Sequence, residues 1–364
     1  MKKEKLLNIE AMRIFAILCT IMIHVTNVYF RAYKVIPHDY FFFSVLFNSV
    51  ARICVPVFFM ISGALLIPKE EDLVKYRKRI VKFVIVLAVW SVIYMLFNNS
   101  LNIKSIVASF FNAESSSRHL WYMYALLGLY LALPFIRRMC NNMTLKEENL
   151  FLILWCTLSG LQVLYMPLAR TFVKGIDITY PVPIIEAAYY LGYFVCGHIL
   201  YKRYKDYKAT KKTNWYIVLT YVVSTLITAL VTYFASIKVN RNYDIFFWYR
   251  SIFIIISSAC VFLFFLVNKD KFKSEKIADF SKYTFGIYLI HGIFFGLIRD
   301  NYPYINCNSL YMTIPLVLLI YLISLVATII LKKIPYVKEL LWQGLIPCFN
   351  LFKMIKYVCL KGGE

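Results

Sequence analysis

The sequence predicts an all-α polytopic membrane protein, a bundle of about ten transmembrane helices with both termini in the cytoplasm. Three observations predict it. The chain is 61% hydrophobic and only 16% charged, where a soluble domain carries about a quarter charged residues. Apolar stretches of bilayer-crossing length recur from end to end, without the short alternating strands of a barrel. The basic residues are partitioned: 29 of the 41 Lys and Arg fall in segments 2–5, 69–82, 137–146, 202–212, 269–282 and 332–361. With the N-terminus inside, all six segments are cytoplasmic, as the positive-inside rule requires. That distribution also argues against reading the net charge of +22 as a nucleic-acid footprint.

The expected spans lie near 9–30, 41–67, 81–98, 119–136, 150–168, 184–201, 214–235, 246–267, 283–298 and 309–331. The first follows a basic start, KKEK, carries Arg13 and lacks a small-residue cleavage site, so it reads as an uncleaved signal anchor. The second contains Arg52 in FNSVARICVPVFFMISG. The third begins after the run Arg77, Lys78, Arg79 and Lys82, which by itself satisfies the positive-inside rule. The fourth opens on Arg118, His119, Trp121 and Tyr122, and the sixth holds Glu186 near its outer end. The ninth carries His291 in FGIYLIHGIFF, where Gly292 and Gly296 make a helix-packing GxxxG. Residues 1–335 form one membrane domain, and 336–364 a basic tail. Its apolar and aromatic residues between lysines fit either an amphipathic segment at the inner interface or a poorly ordered end. The nine cysteines are scattered, with no metal spacing and no CxxC, so neither zinc nor disulfides are expected.

Polar residues inside the spans carry the functional reading. A charge in lipid costs a few kcal/mol or more, so such residues are functional by default. Arg13 and His24 are eleven positions apart, which on a helix is about 20° past three full turns and a rise of about 16 Å. One stripe of span 1 therefore offers a cation near one membrane face and an imidazole toward the other. Glu10 sits three residues before Arg13 and can neutralise it. His24, Arg52, His119 and Glu186 fall in the outer half, and Arg13, Arg79 and Lys82 in the inner half. Several of these have plainer readings: Glu10–Arg13 as a structural ion pair, Arg52 as a partner of Glu186 or of a helix C-terminus, His119 as an interfacial residue, His291 as a packing histidine.

Taken in order, five stretches resemble the membrane acyltransferase 3 family, including the O-acetyltransferases of surface glycans: NIEAMRIFAILCTIMIH (8–24), RICVPVFFMISGALL (52–66), RKRIVKFVIVLAVWSVIY (77–94), HLWYMYALLGLYLALPFIRR (119–138) and YTFGIYLIHGIFF (283–295). The arginine and the histidine eleven residues later are the most specific mark. The family's Arg-x-x-Arg reads here Arg79-Ile-Val-Lys82, which keeps the second cation but removes its bidentate fork.

The resemblance implies a multi-pass enzyme of the bacterial cytoplasmic membrane, with acyl-CoA as donor substrate, transfer of an acyl group, acetyl first among them, to a hydroxyl of an envelope glycan or lipid-linked sugar, and no permanently bound cofactor or metal. On that reading Arg13, Arg79 and Lys82 bind the phosphates of coenzyme A, and His24 is the catalytic base, with Arg13 and Glu10 at the inner end of the same helix completing the catalytic set. Arg52, His119, Trp121, Glu186 and His291 face the acceptor, with Arg52 or His119 at the oxyanion. The alternative is a polysaccharide exporter of the same fold, since intramembrane charges also line transport paths.

Overall fold

The computed structural model describes residues 6–109, 117–172, 183–301, 310–334 and 337–341; of 161, 162, 164–172, 183–188, 310, 338 and 339 it describes the backbone alone. The described residues form helices and no strand. In order they are α1 (Leu7–Arg31), α2 (His38–Ala51), α3 (Cys54–Leu66), α4 (Leu73–Phe97), α5 (Ile103–Ser109), α6 (Trp121–Asn142), α7 (Leu145–Phe172), α8 (Pro183–Tyr204), α9 (Lys211–Val239), α10 (Ile252–Val267), α11 (Lys276–Ser281), α12 (Thr284–Asn301), α13 (Thr313–Leu331) and α14 (Val337–Leu340).

Each interval expected to span contains a helix. Among the described residues seven stretches are long and apolar enough to cross a membrane: Leu7–Arg31, His38–Leu66, Leu73–Phe97, Arg118–Asn142, Lys211–Val239, Ile245–Val267 and Thr313–Leu331. Most of the expected tail lies outside the described residues.

Two departures matter for the site. Expected span 2 is broken into α2 and α3 at Arg52 and Ile53. Pro56 explains the position, because it lacks an amide donor and is tolerated only in the first turn of a new helix. The other departure is α4, which starts at Leu73 and so takes the basic run into the helix. Asp72 caps it, accepting from the Lys75 amide at 2.7 Å.

The chain divides into two compact units. The first comprises residues 1–69, 135–281 and 301–319, and the second 70–134, 282–300 and 320–364. In the first, α3 and α8 make the closest helix packing. A Cβ added at Gly63 would fall 1.7 Å from the Phe194 carbonyl oxygen, and one at Gly197 2.1 Å from that of Met60. Only glycine admits backbones so near each other. Near the α1–α2 turn, Phe30, Phe41, Val45, Ala229 and Phe247 form a fully buried cluster. In the second unit, α4, the start of α6 and α12 are joined through aromatic residues. Tyr94 donates to the Leu289 carbonyl at 2.7 Å, and Tyr288 to the His119 carbonyl at 2.7 Å.

Candidate functional site

The first unit holds Glu10, Arg13, His24, Arg52 and Glu186 of the expected site; the second holds Arg79, Lys82, His119, Trp121 and His291. Helix α1 runs unbroken from Leu7 to Arg31, so Arg13 and His24 keep their shared stripe, and both are half-buried. Arg13 Nη1 lies 3.0 and 3.1 Å from the two carboxylate oxygens of Glu10. Ser281, at the end of α11, donates its hydroxyl to the same carboxylate. Glu10 thus fixes one edge of the guanidinium through charge-assisted bonds.

Arg52 sits at the break between α2 and α3. Its Nε donates to Asn48 Oδ1 at 2.8 Å, one helical turn back. Its guanidinium lies 4.7 Å from the ring centroid of Phe247, a ring locked into the buried cluster. Tyr249 hydrogen-bonds the same side chain. Arg250, only 6% exposed, stacks 4.0 Å over Trp248 in the same loop. The cation at 52 is therefore held by an amide, a phenol and an aromatic face. The expected Glu186 partnership lies outside the described residues, because the structure describes only the backbone of Glu186.

Relative depth in this unit can be read from one contact. The Thr20 side chain lies beside Cys54. The short turn at 32–37 makes α1 and α2 antiparallel neighbours. Toward that turn, His24 is one turn beyond Thr20, about 6 Å. Arg52 and Asn48 are two and six residues beyond Cys54 in the same direction, about 3 and 9 Å. His24 is therefore level with the Asn48–Arg52 pair.

In the second unit Arg79 ion-pairs with Glu71 at 2.5 Å; the carboxylate is fully buried and the guanidinium 13% exposed. Arg79 Nη2 makes that bond. Arg79 Nη1 is buried without a hydrogen-bond partner among the described residues. Lys82 is half-buried one turn along α4. His119 and His291 come together, ring centroids 5.1 Å apart, with Tyr94 and Tyr288 packed on His119 at 4.7 and 5.7 Å. His291 is fully buried. Ser117 Oγ lies 2.8 Å from His119 Nδ1. Trp121 is half-buried and stacks edge-on to Tyr122, centroids 6.4 Å apart.

Sequence reasoning passes over Asn48, Tyr249, Arg250, Glu71 and Glu148. Glu148, at the start of α7, accepts from Lys202 Nζ at 2.9 Å and from Arg203 Nη2 at 2.7 Å while only 3% exposed. Burial pushes its carboxyl up, but the two cations outweigh burial and hold it below the usual glutamate range. Among the described residues no group of three or more His, Cys, Asp or Glu is arranged to hold a metal.

These geometries put an imidazole, a positioned guanidinium and an amide at one depth in the first unit. They put a half-committed arginine and a histidine pair in the second. A family model described as an acyltransferase domain matches residues 6–333. No curated protein and no solved structure matches the chain.

Proposed function

The chain belongs to the acyltransferase 3 family, and from that membership we propose that it moves an acyl group, acetyl in the first instance, from cytoplasmic acyl-CoA to a hydroxyl of a cell-envelope glycan or lipid-linked sugar. The observation that carries the reading is the single stripe of α1. A guanidinium fixed by Glu10 lies about 16 Å below an imidazole on one unbroken helix. An enzyme that joins a cytoplasmic donor to an acceptor presented outside needs a path between the two faces, with a cation at one end and a base near the other.

On this reading Arg13, Arg79 and Lys82 bind the phosphates of coenzyme A, and the thioester arm runs along α1. The spare donor on Arg79 supports that assignment. His24, as neutral imidazole, takes the proton of the acceptor hydroxyl. The oxygen attacks the thioester carbonyl, and Arg52 stabilises the charge that develops on it. His119, Trp121, Glu186 and His291 bind the acceptor. The protein lies in the bacterial cytoplasmic membrane as a bundle of about ten spans with both termini inside.

The test is O-acetylation of envelope glycan in membranes containing wild-type or His24→Ala protein. Loss of acetyl groups with glycan retained is the expected result. Normal acetylation by His24→Ala would reject His24 as base. Loss of the surface glycan itself would favour export. A labelled acetyl group trapped on His24 without acceptor would replace direct attack with a covalent intermediate.

A further inference from the structure

We propose that Asn48 is a catalytic residue of this site, whose side-chain amide donates a hydrogen bond to the acyl oxygen as it becomes an oxyanion. The inference rests on the acyl-transfer reading above and adds a residue to it.

Three observations meet at Asn48. Its side chain is fully buried. Its Oδ1 is taken by Arg52 Nε at 2.8 Å, which fixes which way the amide faces. Its Nδ2 has no hydrogen-bond partner among the described residues. A buried donor without an acceptor is costly because it has given up its bond to water, so a group left this way in a folded protein calls for an explanation, such as a functional one. Arg52 explains the orientation: by occupying Oδ1 it leaves the NH2 as the end that can meet something else. The depth match supplies what that is. His24 is level with the pair, by the Thr20–Cys54 contact. On this proposal Asn48 and Arg52 meet the oxygen of the carbonyl that is attacked by the nucleophile His24 activates.

The step balances. The acceptor O–H bond breaks as its proton passes to His24. The acceptor oxygen bonds the thioester carbon, and the C=O pair moves onto oxygen as the oxyanion. Asn48 Nδ2–H and the Arg52 guanidinium donate to it. Collapse restores C=O and breaks the C–S bond, and the thiolate takes the proton from His24. Acyl-CoA and alcohol become ester and free thiol. An amide held in place before reaction, in a water-poor site, has no reorganisation cost at that moment.

The experiment compares full-length wild type, Asn48→Ala and Asn48→Asp in membranes, with labelled acetyl-CoA as donor and base-labile acetyl on envelope glycan as readout. Aspartate keeps the size and the acceptor for Arg52 but has no N–H. Both variants should lose about 100- to 1000-fold in kcat, with KM for acetyl-CoA within about threefold of wild type. Wild-type kcat in Asn48→Asp would overturn donation and leave Asn48 as a support for Arg52. A change confined to KM, or failure of both variants to give a monodisperse protein in detergent, would also overturn it. If the wild type is active and both variants match it, this inference alone falls. If the wild type transfers no acetyl group, the acyl-transfer reading falls and takes this one with it.

Discussion

His119 and His291 meet edge to face in the second unit, ring centroids 5.1 Å apart, and both are buried. Nδ1 of His291 lies 2.7 Å from the Tyr288 carbonyl oxygen. A carbonyl only accepts, so Nδ1 carries a proton. Gly292 permits the pairing. A Cβ there would fall 2.7 Å from the Tyr94 hydroxyl and 2.9 Å from His119 Cε1. Gly292→Ala should therefore displace His119 and cost about 1–3 kcal/mol through overpacking. The thermal midpoint in detergent should fall. If His119 serves the acceptor, KM for the acceptor should rise while KM for acyl-CoA holds. An unchanged midpoint and unchanged KM values would refute the strain.

The Glu71–Arg79 pair complicates the obvious test of coenzyme binding. Arg79→Ala removes a phosphate donor, but it also takes one cation from a fully buried carboxylate. Removing one partner of a buried ion pair is destabilising. The single variant should be both unstable and weak for acyl-CoA. Adding Glu71→Gln should return most of the stability while KM for acyl-CoA stays high. Thermal melts and acyl-CoA titrations of the two proteins separate the effects. If the double variant regains normal KM, Arg79 has no part in binding the donor.

How much of this is legible in the sequence follows from what each residue contrasts with. Arg13 and His24 stand out because charge is rare in apolar sequence, and their register needs only helix geometry, which α1 supplies without a break. The spans are legible for the same reason. The break at Arg52 is less so, although Pro56 signals it. Asn48 is a neutral amide and leaves little trace in hydropathy; its one signal is a position four residues before Arg52, a single helical turn. Glu71 precedes the helix that carries Arg79, so no i,i+4 rule finds the pair. The meeting of His119 and His291 is tertiary, made by α12 packing beside the start of α6, and no spacing in a single chain announces it.

The α3–α8 packing gives a stability test independent of function. Gly63 and Gly197 lie on facing helices, and each would drive a methyl group into the opposing backbone, at Phe194 and Met60 respectively. Backbone cannot yield as a side-chain tip can. Gly63→Ala and Gly197→Ala should each destabilise more than Gly128→Ala, whose added Cβ meets nothing within 4 Å. Gly128 is in a helix, so alanine there should stabilise by about 0.5–1 kcal/mol. Comparing the three melting curves checks this. Equal midpoints for Gly63→Ala and Gly128→Ala would mean that α3 and α8 are not so close.

Lys332 gives a pH dependence with a definite sign. Its ammonium lies 4.5 Å over the Tyr283 ring, donates to the Lys282 carbonyl at 2.5 Å, and shares that ring with Lys282, whose Nζ is 5.1 Å away. Burial, and then the charge of Lys282, push the Lys332 amine down to about 8 from an ordinary 10.5. Below pH 8 the amine is charged in both folded and unfolded chains, and the folded chain bears the whole penalty. Between 8 and 10.5 the folded amine is neutral while the unfolded one still holds its proton, so the unfolded state binds more protons and stability rises with pH. Lys332→Met removes the titrating group. The melting midpoint of wild type should therefore climb relative to that of Lys332→Met between pH 7.5 and 9.5. An amine-directed reagent at pH 8.5 should also modify Lys332 faster than lysines with ordinary values, in proportion to its neutral fraction. Parallel melting curves with no preferential labelling would show that Lys332 titrates as an ordinary lysine.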